Sequence, residues 1–173
     1  EELKVVAEVH IAYELRMMSA MAVSRVVEPG GDVAATALFE ATLTHLRNLD
    51  EFLTATPPGA RQRYWEHQVC AHHYLEAAWA PLAGVSDPTY RAITRKVSHI
   101  YCDRADPAYE WPGHECPMVP ACLELIDRFD VFLVGLAGAG HDDRRSWFQP
   151  ARDEARQTLD DVDQAHFVFM RRS

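Results

Sequence analysis

The fold of this chain is decided by one stretch, Phe39-Glu40-Ala41-Thr42-Leu43-Thr44-His45-Leu46-Arg47-Asn48-Leu49-Asp50-Glu51-Phe52-Leu53. Its apolar residues recur every three or four positions, which is the period of an amphipathic helix that buries one face. Asp32 is a suitable N-cap for this helix, and Pro57-Pro58-Gly59 interrupts the pattern behind it. The sequence therefore predicts a helix from residue 32 to about residue 54.

Helical patterns also flank this stretch. Residues 3–27 predict a first helix, which ends before Pro29-Gly30-Gly31. Its predicted buried stripe consists of Val9, Ala12, Tyr13, Met17, Ala20 and Val23. A short helix within a long connection is expected over residues 60–86, and a third long helix is expected over 87–104, where Asp87-Pro88 is a typical start.

A fourth long helix is predicted to open at Pro117 or Pro120 and to stop at Gly138 and Gly140. Its apolar stripe consists of Cys122, Leu125, Ile126, Phe129, Leu133 and Leu136. Residues 141–173 have weaker apolar content and predict a helix with Pro150 in its first turn. We expect an all-α, antiparallel helical bundle of four to five main helices. Residues 1–140 form the bundle domain, and the tail belongs to it or serves as a partner-binding arm.

Composition limits the classes of function. The net charge of -9 over 173 residues argues against a broad surface for nucleic acid or anionic membrane, although it allows a local basic site. No run of 18 apolar residues occurs, so we expect no membrane span. The four cysteines lack the spacing of a disulfide scaffold, which favours free thiols and a cytoplasmic location.

Charged residues interrupt two of the predicted apolar faces. Asp50 falls inside the arc of the second helix, and Arg47 falls at its edge. Arg104 falls on the face of the third helix that Ile93, Val97, Ile100 and Tyr101 would bury. Because a buried unpaired charge costs several kcal/mol, we expect Asp50 to meet Arg104, with Arg47 as a further partner. Such a group is either an internal ion pair or a polar pocket.

Arg95 and His99 are four residues apart, so they share the opposite, exposed face of the third helix. The pair is either solvated surface or a phosphate site, in which arginine holds the anion and histidine transfers a proton.

A metal site is the less favoured alternative. His99 and Cys102, followed by His114 and Cys116, supply four candidate zinc ligands with nonstandard spacing. His67, His72 and His73 are further candidates, although histidines in an aromatic-rich stretch are more often packing or surface residues. The sequence predicts no required cofactor or metal.

Two segments resemble a group of small uncharacterised bacterial all-helical proteins. The first is residues 38–53, with its His45-x-Arg47-Asn48-Leu49 core, and the second is residues 93–104, which contains Ser98-His99-Ile100 and ends at Arg104. Trp79-x-Pro81 lies between them, and the resemblance covers roughly residues 38–135. This resemblance implies no activity, because no function is established for that group.

The chain is also loosely similar to the HEPN superfamily, whose small helical domains often dimerise and include metal-independent ribonucleases. Their signature is an arginine followed by a histidine after four to six residues. Arg95 and His99 are separated by only three residues, which is one fewer than the signature has. Arg47-Asn48 has the arginine and polar residue with which the signature commonly begins, but no histidine follows it at the required distance. The resemblance implies that Arg95 binds the scissile phosphate and that His99 acts on the 2'-hydroxyl. Arg47, Asn48, Asp50 and Arg104 remain candidate binding residues.

Two classes of function therefore stay open. The first is a dimeric, HEPN-like metal-independent ribonuclease or RNA-binding module. The second is a non-enzymatic structural or interaction protein, such as a toxin–antitoxin or defence component with a protein partner. A metal-binding helical bundle is the third and weakest alternative, and no membrane partner is expected.

Overall fold

The structure, a computed structural model, describes residues 1–27, 32–55, 69–75 and 118–170. Within these ranges the regular structure is helical and contains no strand, which confirms the predicted all-α bundle. The predicted third helix, 87–104, lies outside the described residues. The elements are α1 (Glu2–Val5), a π-helical turn (Val6–Ile11), α2 (Ala12–Val27), α3 (Asp32–Thr54), α4 (His72–Leu75), α5 (Met118–Gly138) and α6 (Asp142–Met170).

The predicted bounds of the second and fourth helices are confirmed. α3 begins at Asp32 and ends at Thr54, and α5 ends at Gly138. All six residues of the predicted α5 stripe are buried. After α5 the chain turns at Gly140, whose φ of 77° lies in the left-handed region that glycine tolerates. The His141 N–H donates to the Leu136 carbonyl at 2.8 Å, which satisfies a carbonyl of the last turn.

The core is one apolar cluster shared by the long helices. α2 packs against α3 and α6, and α5 also packs against α6. Five aromatic rings lie at its centre, contributed by Phe52, Tyr74, Phe129, Phe132 and Phe148. The closest centroids, those of Tyr74 and Phe148, are 4.9 Å apart in an edge-to-face arrangement. Such pairs add about 0.5–1.5 kcal/mol each to the stability from burial.

The predicted buried stripe of the first helix is right at Ala12, which is buried, but wrong at its larger residues. Val9 is 55% exposed and Tyr13 is 52% exposed. The buried apolar face consists of Ala12 together with Ala7, Ile11, Leu15, Met18 and Ala22. Apolar residues occupy both faces of this segment, so periodicity alone does not select one. The π-helical turn at Val6–Ile11 also shifts the angular position of the preceding residues relative to α2.

The predicted position of Pro150 is also wrong. α6 begins at Asp142, so Pro150 lies inside the helix and not in its first turn. The stronger start signal is the acidic pair Asp142 and Asp143, which favours a helix N-terminus through the helix dipole. Because proline lacks an N–H, the helix forgoes the hydrogen bond that this position would donate.

The C-terminal segment packs against the rest of the bundle. Phe148, Ala151, Ala155 and Leu159 of α6 are buried in the common core. Ion pairs add polar contacts between helices: Arg16 pairs with Glu154, Arg152 with Asp130, and Arg156 with Asp127. These residues recur every three or four positions, which gives α6 one buried stripe although most of its residues are polar.

The buried thiol of Cys122 is expected to lower the free energy of unfolding in alkaline solution. Cys122 is fully buried, and this burial raises the pKa of its thiol above the ordinary value of 9.0. The thiol is neutral in both states below the unfolded pKa, so its contribution is then fully present. Above that pKa the unfolded chain loses the proton first, and stability falls by up to about 1.4 kcal/mol per pH unit.

Urea unfolding of the wild type and Cys122→Ala between pH 8 and pH 10.5 checks this prediction, and we expect a shallower pH dependence in the variant. Tyr74 and Cys70 are present in both proteins, so their titration cancels in the comparison. Parallel pH profiles for the two proteins would contradict the assignment to Cys122.

Candidate functional site

A polar cluster lies between α2 and α3. The Nδ1 atom of His45 is 2.7 Å from Oε2 of Glu14, and the side-chain amide of Asn48 donates to the same oxygen at 3.2 Å. His45 and Asn48 are three residues apart, so they project from neighbouring positions on one side of α3. Glu14 is supplied by α2, which places the three side chains at the junction of the two helices.

The cluster is partly shielded but remains open to solvent. The side chains of His45 and Glu14 are 13% and 20% exposed, respectively. The ring of Tyr13 meets the His45 imidazole edge to face, with centroids 5.6 Å apart. Tyr13 and Asn48 are exposed, so the cluster lies at the surface of the α2–α3 junction.

The contact with Glu14 prepares His45 for proton transfer. A carboxylate accepts hydrogen bonds, so it favours the proton on Nδ1 of the imidazole. The other ring nitrogen, Nε2, then carries a lone pair and can take a proton from a substrate. The same contact also joins α2 to α3, so a purely structural role is the competing interpretation.

The predicted binding residues separate in the structure. Asn48 belongs to the polar cluster, whereas Arg47 is exposed and pairs with Glu51 through an Nε–Oε1 contact of 2.8 Å. Arg47 and His45 are two positions apart on the helix, so they do not face the same direction. Asp50 is half-buried. Arg104 lies outside the described residues, so the Asp50–Arg104 contact stays a prediction.

The predicted catalytic pair, Arg95 and His99, also lies outside the described residues. The same holds for the metal candidates His67, Cys102, His114 and Cys116. The role of Glu14 was missed in the sequence because nothing in the first helix indicates which residue opposes His45. A carboxylate within the apolar Ala12–Met18 segment was the available signal.

A second cluster of reactive side chains lies at α4. Cys70 Sγ is 2.9 Å from Nδ1 of His72 and 3.4 Å from Nδ1 of His73. The thiol is buried, His72 is half-buried and His73 is exposed. Burial raises the pKa of the Cys70 thiol, whereas burial and the neighbouring His73 lower the pKa of His72. The sequence had indicated the two histidines but not the cysteine.

None of the described helices combines the length and the hydrophobicity that a membrane span requires. Comparison of the chain with family models, with curated proteins and with solved structures finds no match.

Proposed function

We propose that this chain is a HEPN-like bacterial ribonuclease that cleaves RNA without a metal ion and uses His45 for proton transfer. The observation that carries the proposal is the 2.7 Å contact between Glu14 and His45, which orients the imidazole. The substrate class rests on the loose similarity of the chain to the HEPN superfamily, in which an arginine precedes a histidine as Arg95 precedes His99 here.

The proposed reaction is an internal transesterification. Nε2 of His45 takes the proton of a ribose 2'-hydroxyl, and the 2'-oxygen attacks the adjacent phosphorus. The bond from phosphorus to the 5'-oxygen breaks, and a protonated group returns a proton to that leaving oxygen. The products are a 2',3'-cyclic phosphate and a 5'-hydroxyl. We propose His99 as the group that protonates the leaving 5'-oxygen, in place of the 2'-hydroxyl role that the HEPN resemblance implies for it, and Arg95 as the phosphate ligand.

The negative net charge of the chain favours phosphate binding at a single position over binding along an extended basic surface. Several described arginines already pair with carboxylates, namely Arg16, Arg47, Arg128, Arg152 and Arg156. These ion pairs and the net charge of -9 disfavour binding along many phosphates. We therefore propose that a short single-stranded segment binds at the cluster, with Asn48 as a further polar contact.

The test is cleavage of a fluorescently labelled single-stranded RNA by the full chain in EDTA. We expect cleavage that yields a 2',3'-cyclic phosphate terminus. The matched substrate carries a 2'-deoxy sugar at the cleaved position, and we expect it to remain intact because it lacks the nucleophile. Cleavage of the deoxy substrate, or no cleavage of any RNA, would contradict the proposal.

We propose that the active form is a homodimer in the cytoplasm. Val5, Val9 and Tyr13 are exposed and four residues apart, so they form an apolar stripe that leads to the His45 cluster. Cys70 and Cys122 are free buried thiols, which suits a reducing compartment.

The dimer predicts a specific effect of charge on this stripe. We expect light scattering to report a dimer for the wild type and a monomer for Val9→Glu, because a carboxylate in an apolar interface lacks a partner. Val134→Glu is the matched control, since Val134 is an exposed valine on α5. A monomeric wild type, or a dimer that only Val134→Glu disrupts, would refute the proposed interface.

A non-enzymatic interaction protein is the second candidate. The observation that favours it is the set of ion pairs between helices, in which Arg16 reaches Glu154 and Arg156 reaches Asp127. In this alternative Glu14 and His45 are one more contact that fixes how α2 and α3 dock. Stable capture of RNA or a protein without turnover would favour it.

A further inference from the structure

The segment that carries Cys70, His72 and His73 brings three metal-binding side chains to one place. One donor atom from each residue lies within 4.8 Å of the donors of the other two. The thiol forms the buried end of the group, and the exposed His73 forms the outer end. The centroids of the two imidazole rings are 3.9 Å apart.

The distances are close to those that a tetrahedral ion requires. Zinc bonds of about 2.3 Å to sulfur and about 2.1 Å to nitrogen separate these donors by about 3.6 Å. The sulfur is 3.4 Å from Nδ1 of His73 and 2.9 Å from Nδ1 of His72. An opening of less than about 1 Å between the thiol and His72 therefore accommodates the ion.

Two contacts at Nδ1 of His73 compete with an ion. The Cys70 backbone N–H donates to this nitrogen at 3.1 Å, and the Cys70 carbonyl oxygen lies 3.2 Å from it. With the backbone N–H as its donor, Nδ1 carries a lone pair. A metal ion can replace that donor, because both bind the same lone pair. His73 is exposed and can also turn its ring to present Nε2, so the competing hydrogen bond does not block the site.

The surrounding fold holds the segment in place. The Ala71 N–H donates to the Phe52 carbonyl at 2.9 Å, and the Tyr74 hydroxyl donates to the Leu3 carbonyl at 2.8 Å. Arg144 donates to the Tyr74 carbonyl at 2.6 Å. Because α1, α3 and α6 all anchor this segment, little order has to be gained when an ion binds.

The donor set also selects the kind of ion. A thiolate and two neutral imidazoles suit Zn²⁺ and related transition metals, whereas Mg²⁺ and Ca²⁺ require oxygen donors. Ion binding removes the thiol proton and forms the sulfur–metal bond without any change in oxidation state. Three protein donors leave a fourth tetrahedral position for water or another ligand.

We propose that Cys70, His72 and His73 bind a Zn²⁺ ion within the α4 segment, with the fourth position open to water or another ligand. This site lies on a different segment from Glu14 and His45. Its test measures the metal and not RNA cleavage, so the two proposals can fail separately.

The test is a titration of the metal-stripped full chain with Co²⁺, followed by displacement with Zn²⁺. We expect about one equivalent of Co²⁺ to produce visible tetrahedral bands and a near-ultraviolet sulfur-to-cobalt band, which Zn²⁺ then abolishes. Cys70→Ser should lose the sulfur band. His73→Ala should weaken binding by at least about tenfold, because even partners of metal ligands contribute that much.

Cys122→Ala and His10→Ala are the matched controls, because Cys122 is a free buried thiol and His10 an exposed histidine outside the cluster. We expect both to bind Co²⁺ as the wild type does. Circular dichroism verifies that each variant is folded. No stoichiometric binding by the wild type would overturn the proposal, as would a sulfur band retained in Cys70→Ser or lost in Cys122→Ala.

Discussion

Replacement of His45 is expected to lower the rate of RNA cleavage by about 10²–10⁴-fold, which is the usual contribution of a positioned acid or base. His45→Gln is the informative variant, because its amide can still donate a hydrogen bond to Glu14 but cannot accept a proton at neutral pH. Single-turnover cleavage of the labelled RNA measures the effect on chemistry separately from RNA release. Cleavage by His45→Gln at the wild-type rate would remove His45 from the mechanism.

Two further variants distinguish the contribution of His45 from those of His10 and His99. His10→Ala changes an exposed histidine on the π-helical turn, and we expect it to cleave at the wild-type rate. His99→Ala should also abolish detectable turnover while leaving the fold intact. Full activity in His99→Ala together with loss in His45→Gln would restrict the site to the α2–α3 junction.

Phe132→Ala is expected to lower the free energy of unfolding by about 3–5 kcal/mol, because it removes a fully buried ring and leaves a cavity. The Phe132 ring meets Phe148 at a centroid distance of 5.2 Å and Phe52 at 5.5 Å. It therefore joins α5 to both α6 and α3. Few exposed substitutions approach this cost.

Urea unfolding measures this prediction directly. Val134→Ala is the matched control, since Val134 is 69% exposed on the same helix, and we expect it to change stability by less than about 0.5 kcal/mol. Equal losses in the two variants would mean that the aromatic cluster does not hold the bundle together.

The sequence was sufficient for elements that have one clear apolar face. Of the apolar residues predicted to face the core from α3, Leu38 is half-buried, and Phe39, Leu43, Leu46, Leu49 and Leu53 are buried. The α5 stripe was equally clear, since Gly138 and Gly140 mark its end. In α3 polar residues on the opposite face leave a single solution for packing, whereas α5 also exposes Val131 and Val134.

Periodicity failed where two solutions fitted the pattern. In the first helix Val9 and Tyr13 lie at the same four-residue spacing as Ile11 and Leu15, but only the second pair is buried. Proline rules failed at Pro150, because core contacts of Phe148 and Ala151 keep the surrounding residues helical. Tertiary packing decided both cases, and neither is visible from local spacing.

The candidate sites were predicted only in part. His45 stood in the His45-x-Arg47-Asn48-Leu49 core of the first resembling segment and Asn48 was a candidate binding residue, but Glu14 is 31 residues away from His45. Contacts between distant segments require a tertiary arrangement that a single sequence does not provide. The Cys70 cluster was not predicted for a different reason, because histidines in an aromatic-rich stretch favour packing or surface roles and nothing in the spacing links them to Cys70.

The central claim is that Glu14 acts through His45, and a double-mutant cycle on RNA cleavage tests it most directly. Single-turnover rates are compared for the wild type, Glu14→Gln, His45→Gln and the double variant, all verified as folded by circular dichroism. We expect Glu14→Gln to slow cleavage in the wild-type background and to have no further effect once His45 is replaced. Independent, multiplicative losses, or a Glu14→Gln variant that cleaves at the wild-type rate, would contradict the account.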